Sequence, residues 1–532
     1  MKQRRRRGFL ASDEGLEKLE ERMLQKGYTQ ESLAVVAGVS LDQVKKLFHP
    51  NWGRSIQKDA IRKIARTLEL NPTDIVDSSE WYPQRKTTNA DQEALDTTDT
   101  SKQHSKTENF QVEEAASDRA NSHFSSNFHV SDPDLQAVFG KEDDPYRRNF
   151  VIGKHIDTDE PICLDLDRIV ARSTGVFGKP ATGESLFSKV LVSGIIYKQA
   201  AVNLIFDLHS EYGWEAFRRG KGLGQLFPGQ VQIYTLDPDS TKRRGVQNAQ
   251  DLYLTYDQIE LEDIMLLRQE LNLSEVSLEN ALILRQEFGR AWITQLLSMS
   301  NQKIQEFCDE KQGSKSSIMA LQRKLMRLDE LKYMRMACSH NYVHQILESL
   351  EAGKHVVIEF GSQSSMLSYM LATHVIARQI HASYVRKTEK FLQTKNPTSD
   401  RPKVLTIAIE EAYQFLNSKV VPQTVFSTII RELSKSFITL LVVDRHPSKV
   451  DREVLSDLGT RITGWLNDED IDAIFSGVSG TQSLRSMLSK LDSTQHQQAL
   501  IFGHAVPMPV VVQTRPYDQT YYAEIANLAW WE

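Results

Sequence analysis

The stretch GVFGKPATGESLF, Gly175 to Phe187, decides how this chain is read. The apolar run TGVFG meets a turn bounded by glycines, and LFSKVLVSGII continues with helical patterning. A turn of the form GxxxxGK[ST] between a buried strand and a helix lets backbone N–H groups and the helix N-terminus cradle phosphate groups. Gly178 and Gly183 hold its glycine positions, and Ser185 holds the hydroxyl that suits Mg²⁺. The lysine position is occupied by Glu184, a carboxylate where bound phosphates ask for a cation. One lysine stands elsewhere in the loop, at Lys179.

Working outward, the runs AVNLIFD, KHVVIEF, KVLTIAI and SFITLLVVD are apolar on consecutive residues, as strands buried on both faces must be. Helical segments separate them, so the pattern predicts an α/β domain with helices on both faces of a sheet. Residues from about 255 to 350 are helical in pattern and read as an insertion between two core strands. The strand KVLTIAI ends in paired acids, Glu410 and Glu411. Beside a phosphate loop, such a pair suits a metal-binding carboxylate, Glu410 with Ser185, and a water-orienting base, Glu411. Asp207, His209 and Glu211 follow the second core strand and read equally well as site residues or as polar residues at a strand end.

Composition narrows the class. The chain has 532 residues, 40% of them hydrophobic, and no apolar run reaches the roughly 18 residues of a membrane span. With no secretory signal in MKQRRRRGF, it is expected in the cytoplasm, away from membranes. Its three cysteines are scattered singly, which gives neither a disulfide framework nor a zinc site. A formal charge of −6 excludes bulk electrostatic attraction to polyanions, so nucleic-acid contact must come from local patches such as Arg4 to Arg7.

Residues 1–83 are helical with short breaks, residues 84–147 form a polar segment expected to be a disordered linker, and residues 148–532 form the α/β domain. Within the first segment, TQESLAVVAGVSLDQVKKLF carries a small-residue helix, a turn at Gly38, and a second helix opened by a capping box of Ser40 and Gln43. This stretch resembles the Cro and lambda-repressor type of helix-turn-helix. The resemblance implies duplex DNA as a partner, with Leu41, Asp42, Lys45 and Lys46 at exposed recognition positions and Gln30 near a phosphate. The alternative is a helical domain that docks protein.

From Phe150 to Pro516 the motifs IGKHIDTDEPICLDLDRIV, NLIFDLHSEYG, IEEAYQFL, LLVVDRHPSKVDREVLSDLGTRI and ALIFGHAVPMPVVVQTRP, with the loop, resemble in order and spacing the HerA and FtsK branch of P-loop ATPases. The resemblance implies a RecA-like core, ATP and Mg²⁺ as cofactors, assembly as a homo-oligomeric ring on duplex DNA, and room for a nuclease or other protein partner. It also implies that Gly178, Lys179, Gly183, Glu184 and Ser185 line the nucleotide site.

The chain departs from the family where the chemistry belongs. Besides Glu184, Arg445 stands at the γ-phosphate-sensing glutamine of the family, and Leu433, Ser434 and Lys435 replace a glycine-arginine-lysine. Arg431, Arg445 and Arg461 are the candidates for a substitute arginine. Lys179 matches the position of the signature lysine in the MinD and ParA type of loop, and also that of an ordinary tolerated lysine. Two functions follow: a DNA-bound scaffold or regulator with degenerate ATPase motifs, or an active ATP-dependent DNA translocase. A transcriptional regulator whose core senses nucleotide is a third.

Overall fold

The computed structural model describes residues 11–76 except 27–29, 38, 49–57, 69 and 71, and residues 132–528 except 180–183, 216–219, 312, 394–400, 433–434 and 492–496. The chain divides into two units, Met1–His123 and Phe124–Glu532.

The first unit contains helices Asp13–Lys26, Gln30–Ala37, Leu41–Phe48, Lys58–Thr67 and Pro72–Ile75. Leu19, Leu33, Val44, Leu47, Ile61, Ile64 and Leu68 are fully buried between them. The capping box forms as expected: Gln43 N donates to Ser40 Oγ at 3.3 Å and Ser40 N donates to Gln43 Oε1 at 3.0 Å. Gly15 lets the first helix approach the last, because a Cβ there would stand 2.1 Å from the Ile75 carbonyl oxygen. Gly38 and the arginine tract at Arg4 to Arg7 lie outside the described residues.

The second unit is built on one twelve-stranded sheet. Its strands are β1 (Asn149–His155), β2 (Pro161–Asp165), β3 (Thr174–Phe177), β4 (Val202–Asp207), β5 (Val231–Thr235) and β6 (Gln250–Asp251). The short β7 (Leu254–Thr255) and β8 (Met334–Arg335) pair separately, and the sheet resumes with β9 (His355–Glu359), β10 (Leu405–Ile409), β11 (Ile438–Asp444), β12 (Thr460–Thr463), β13 (Gln498–Gly503) and β14 (Val510–Thr514). The spatial order is β2-β1-β14-β13-β12-β3-β11-β10-β4-β9-β5-β6. From β12 to β6 the strands are parallel, and β13, β14, β1 and β2 extend them antiparallel.

The period-two geometry of a strand divides each parallel strand between two cores. Leu204 and Phe206, Ile407 and Ile409, and Leu440 and Val442 join the core that holds the helical insertion and the long helix Met366–Gln393. Ile205, Ala408, Leu441 and Val443 join the opposite core, with the helix Glu184–Tyr197 and the C-terminal helix Gln519–Leu528. This is the RecA-like P-loop architecture, with the loop strand β3 separated from the Glu410 strand β10 by β11.

Several expectations are corrected. The polar linker does not reach residue 147. The helix Asp132–Phe139 buries Leu135 and Phe139 in the β1–β2 side of the core, and Asn149 Nδ2 fixes the following turn through the Lys141 carbonyl at 3.0 Å. Strand β1, ahead of the phosphate loop in sequence, pairs with β14 and completes the sheet. The insertion also carries a strand pair, β7 with β8, where the sequence reads as helix throughout.

The insertion is tied to the domain by buried polar groups. Asp263 Oδ1 accepts from His374 Nδ1 at 2.6 Å, Asp263 Oδ2 accepts from Arg378 Nη2 at 2.7 Å, and His374 Nε2 accepts from Val425 N at 3.2 Å. Burial alone would raise the Asp263 pKa, but His374 and Arg378 outweigh it and hold the carboxyl below its ordinary value. His374 is therefore structural.

Candidate functional site

In an open parallel sheet, ligands bind outside the carboxyl ends of the strands. There β3 delivers Gly178, β4 ends at Asp207, β9 at Glu359, β10 runs into Glu410 and Glu411, and β11 ends at Asp444. Every acid among them except Glu411 is buried, so this edge is lined by carboxyl groups.

Glu410 is 7% exposed, and its Oε2 accepts the Leu208 N–H at 3.1 Å. The buried Tyr369 hydroxyl brackets its backbone, donating to the Glu410 carbonyl at 2.7 Å and accepting from its N–H at 3.0 Å. The carboxylate is thereby oriented at a strand end, a hard oxygen donor of the kind Mg²⁺ takes. Glu411 has a positive φ of 47°, a left-handed conformation uncommon outside glycine and of the type that collects at functional sites. Its Oε1 lies 3.9 Å from Arg445 Nη1, so the arginine at the sensor position faces the acid expected to orient water. The structure brings these three residues together.

Asp444 precedes Arg445 and shapes the same corner. Its carboxylate accepts from Tyr413 N at 2.6 Å and His446 N at 2.7 Å. Burial nevertheless pushes its pKa up to about 6. Asp207 is not a metal-facing acid. It accepts the N–H groups of Glu211 at 2.7 Å, Tyr212 at 2.8 Å and Gly213 at 3.0 Å, and so folds the loop after β4. Burial and the neighbouring Asp207 raise the pKa of Glu359 to about 7, against the pull of its partner Arg244. His209 is exposed and Glu211 half-buried.

At the loop, Gly183 lies outside the described residues, as do the side chains of Glu184 and Ser185. Their backbone opens the helix Glu184–Tyr197. Gly178 N donates to the Asp444 carbonyl at 3.4 Å, and Lys179 N donates to the Trp465 carbonyl at 3.2 Å. Lys179 Nζ lies 2.6 Å from Asp470 Oδ2, a side chain only 2% exposed, and 3.4 Å from the Arg445 carbonyl. Asp470 Oδ1 accepts Ser448 Oγ at 2.7 Å. Burial would raise the Asp470 pKa, but Lys179 and Ser448 reverse the shift and keep it ionised. Sequence reasoning missed Asp470, because the run NDEDID reads as a solvated helix start.

The substitute arginines separate. Arg461 is 3% exposed and donates to the carbonyls of Ile474, Ser476 and Leu455, so it is withdrawn from any trans-acting role. Arg431 is half exposed, 3.6 Å from Glu453. Ser434 lies outside the described residues. In the first unit Gln30, Lys45 and Lys46 are half-buried, the side chain of Asp42 is outside the described residues, and Leu41 packs against the core rather than standing exposed.

Residues 150–380 match the family described as helicase HerA, central domain. This part of the chain is HerA-like. Over 384 residues the chain is 20% identical to the DNA double-strand break repair helicase HerA of Pyrococcus furiosus, covering 66% of each chain. Over 409 residues it is 22% identical to a probable helicase of Methanocaldococcus jannaschii, covering 75% of this chain and 72% of the other. The match thus spans about two thirds of the length of these relatives. Two solved structures also align with the HerA-like core. VirB4 of Thermoanaerobacter pseudethanolicus does so at 12% identity and TM-score 0.42, covering 70% of this chain and 98% of that one. The bacterial conjugative coupling protein TrwB does so at 12% identity and TM-score 0.45, covering 73% and 92%. No described helix is long and apolar enough to cross a membrane, and no group of three or more His, Cys, Asp or Glu among the described residues is placed to hold a metal ion.

Proposed function

We propose that this chain is a DNA-associated, HerA-like P-loop protein whose ATPase motifs are degenerate, acting in the cytoplasm as a DNA-bound scaffold or regulator. The observation that carries this reading is the ion pair between Lys179 and Asp470. With Glu184 at the lysine position, Lys179 is the cation left in the loop, and a buried aspartate of the same chain holds it. Reaching a phosphate would strip Asp470 of its partner, and an uncompensated buried charge costs about 3–5 kcal/mol. Arg445 beside Glu411 opposes hydrolysis as well, since it neutralises the acid expected to orient water.

ATP and Mg²⁺ remain the ligands this edge fits. Glu410, with Ser185, would hold the metal, and the metal would neutralise charge on the phosphates. Glu411 would orient water, and the loop backbone from Gly178 to Ser185 would position the phosphates. In this reading residues 1–83 bind duplex DNA, the polar segment before residue 132 tethers them, and a homo-oligomer or a nuclease partner completes the assembly.

The second reading, an active DNA translocase, is favoured by the oriented Glu410 and by the strained backbone of Glu411, which a purely structural edge does not need. The purified full chain is assayed for ATP turnover with and without Mg²⁺ and duplex DNA. Negligible turnover is expected in every condition. Robust turnover that Lys179→Ala abolishes would establish the translocase reading instead.

A further inference from the structure

The turn after β12, with the helices Asp468–Ile474 and Thr481–Leu488, walls a cavity of about 490 Å³ whose lining includes Trp465, Leu466, Ile471, Arg485, Leu488 and Leu491. This volume lies in the range of small-molecule sites, roughly 300–1,000 Å³. Its place in the fold is fixed by β12, which runs parallel to the loop strand with Thr463 opposite Phe177. Gly464 N donates to the Phe177 carbonyl at 2.8 Å, and the Trp465 carbonyl accepts from Lys179 N at 3.2 Å. One lining residue, Trp465, therefore adjoins Lys179 at the start of the phosphate loop, just past the end of the strand next to it.

Trp465 is 40% exposed, the one exposed tryptophan among the described residues, whereas Trp292 is fully buried. A large aromatic left in water beside aliphatic walls offers a flat face for stacking, and such surfaces select planar π systems. Arg485 supplies a polar rim, as base-sized sites require for orientation.

We propose that this cavity takes the purine ring of the nucleotide, stacked on Trp465, and that the chain grips the nucleoside end of its ligand more than the phosphate end. The inference rests on the nucleotide-binding part of the reading above and adds which end of the ligand is recognised. A loop with Glu184 and a tethered Lys179 gives the phosphates little attraction, whereas stacking on Trp465 needs no cation in the loop.

The test measures binding of adenosine, AMP, ATP and inorganic tripolyphosphate to the full chain by calorimetry, for the native protein, Trp465→Ala and Trp465→Phe. Adenosine and AMP are expected to bind within about tenfold of ATP, with tripolyphosphate failing to compete. Trp465→Ala should weaken all three by roughly fivefold to a hundredfold, the loss that removal of a stacking aromatic gives. Trp465→Phe should restore most of it, which separates stacking from misfolding. ATP binding unchanged in Trp465→Ala, or tripolyphosphate competing as well as ATP, overturns the inference and leaves the degenerate-ATPase reading standing. Robust hydrolysis whose KM rises in Trp465→Ala does the reverse. Binding of none of the four ligands overturns the inference too.

Discussion

Exchanging Glu184 for lysine changes the loop by two units of charge, and a unit charge about 4 Å from a phosphate oxygen is worth about 4 kcal/mol at an effective dielectric of about 20. A tenfold gain in affinity asks for only ~1.4 kcal/mol. Glu184→Lys is therefore expected to tighten ATP at least about tenfold without tightening adenosine, read by titration calorimetry; an equal effect on both would show that the change acts on the fold and not on the phosphates. Hydrolysis need not return, because Arg445 still faces Glu411. A second residue-scale outcome concerns His355 at the start of β9. Its Nδ1 accepts from Asn203 N at 3.2 Å and Asn203 Nδ2 at 2.9 Å, and burial, aided by Lys403, lowers its pKa from 6.5 to about 4. The unfolded chain takes up this proton near pH 6.5 while the folded chain resists until about pH 4, so the contribution is complete above 6.5 and is lost as pH falls through that window. Its full size is about 3 kcal/mol, at about 1.4 kcal/mol per pH unit. Denaturant unfolding from pH 7 to 4 should show the native chain losing stability relative to His355→Gln, and parallel curves for the two would refute the assignment.

At the scale of elements, the Leu41–Phe48 helix carries Lys45 and Lys46 beside the buried Val44 and Leu47. If this helix meets DNA, replacing both lysines with alanine in the full chain should weaken binding and flatten its salt dependence, since each phosphate contact released contributes roughly 0.9 to the slope of log K against log salt. A native chain that binds no duplex at low salt would make the helices a protein-docking module. The helical insertion offers a cleaner structural test. Asp263→Ala leaves Arg378 and His374 without their buried partner, a loss of about 3–5 kcal/mol for a broken buried ion pair. Hydrogen exchange should then rise through residues 261–350 before it rises in β10 and β11, and uniform exchange would mean that other contacts hold the insertion. The elements also show what their residues could reveal beforehand. Strands β4, β9, β10 and β11 were legible because parallel strands buried on both faces must be apolar throughout. Strand β12 was not, because TRIT carries a buried arginine satisfied by carbonyls that lie 6 to 15 residues further on or back. The helix Asp132–Phe139 was lost among polar neighbours, since only Leu135 and Phe139 mark its buried face.

For the molecule as a whole, the carboxyl edge of the sheet was legible as far as single motifs reach. Gly178, Glu410, Glu411 and Arg445 stand where their strands predict. What could not be read was pairing across the chain: Lys179 and Asp470 are 291 residues apart, and nothing in the local sequence of either names the other. The same distance in sequence governs how the sheet closes. Strand β1 opens the α/β domain yet pairs with β14, Gly153 opposite Thr514, while β2 pairs with β1 on its other side. On a translating ribosome the β1–β2 hairpin emerges first, and a hairpin alone is marginally stable in water. It must wait, with one edge open, until β13 and β14 have been made. Closing so long a loop comes late in folding, and unpaired strand edges in the interval invite association between chains. A premature stop upstream of β13 would leave two open edges, one on the early hairpin and one on β12, each shaped for the missing strands. The sheet is therefore completed only once β13 and β14 have been made.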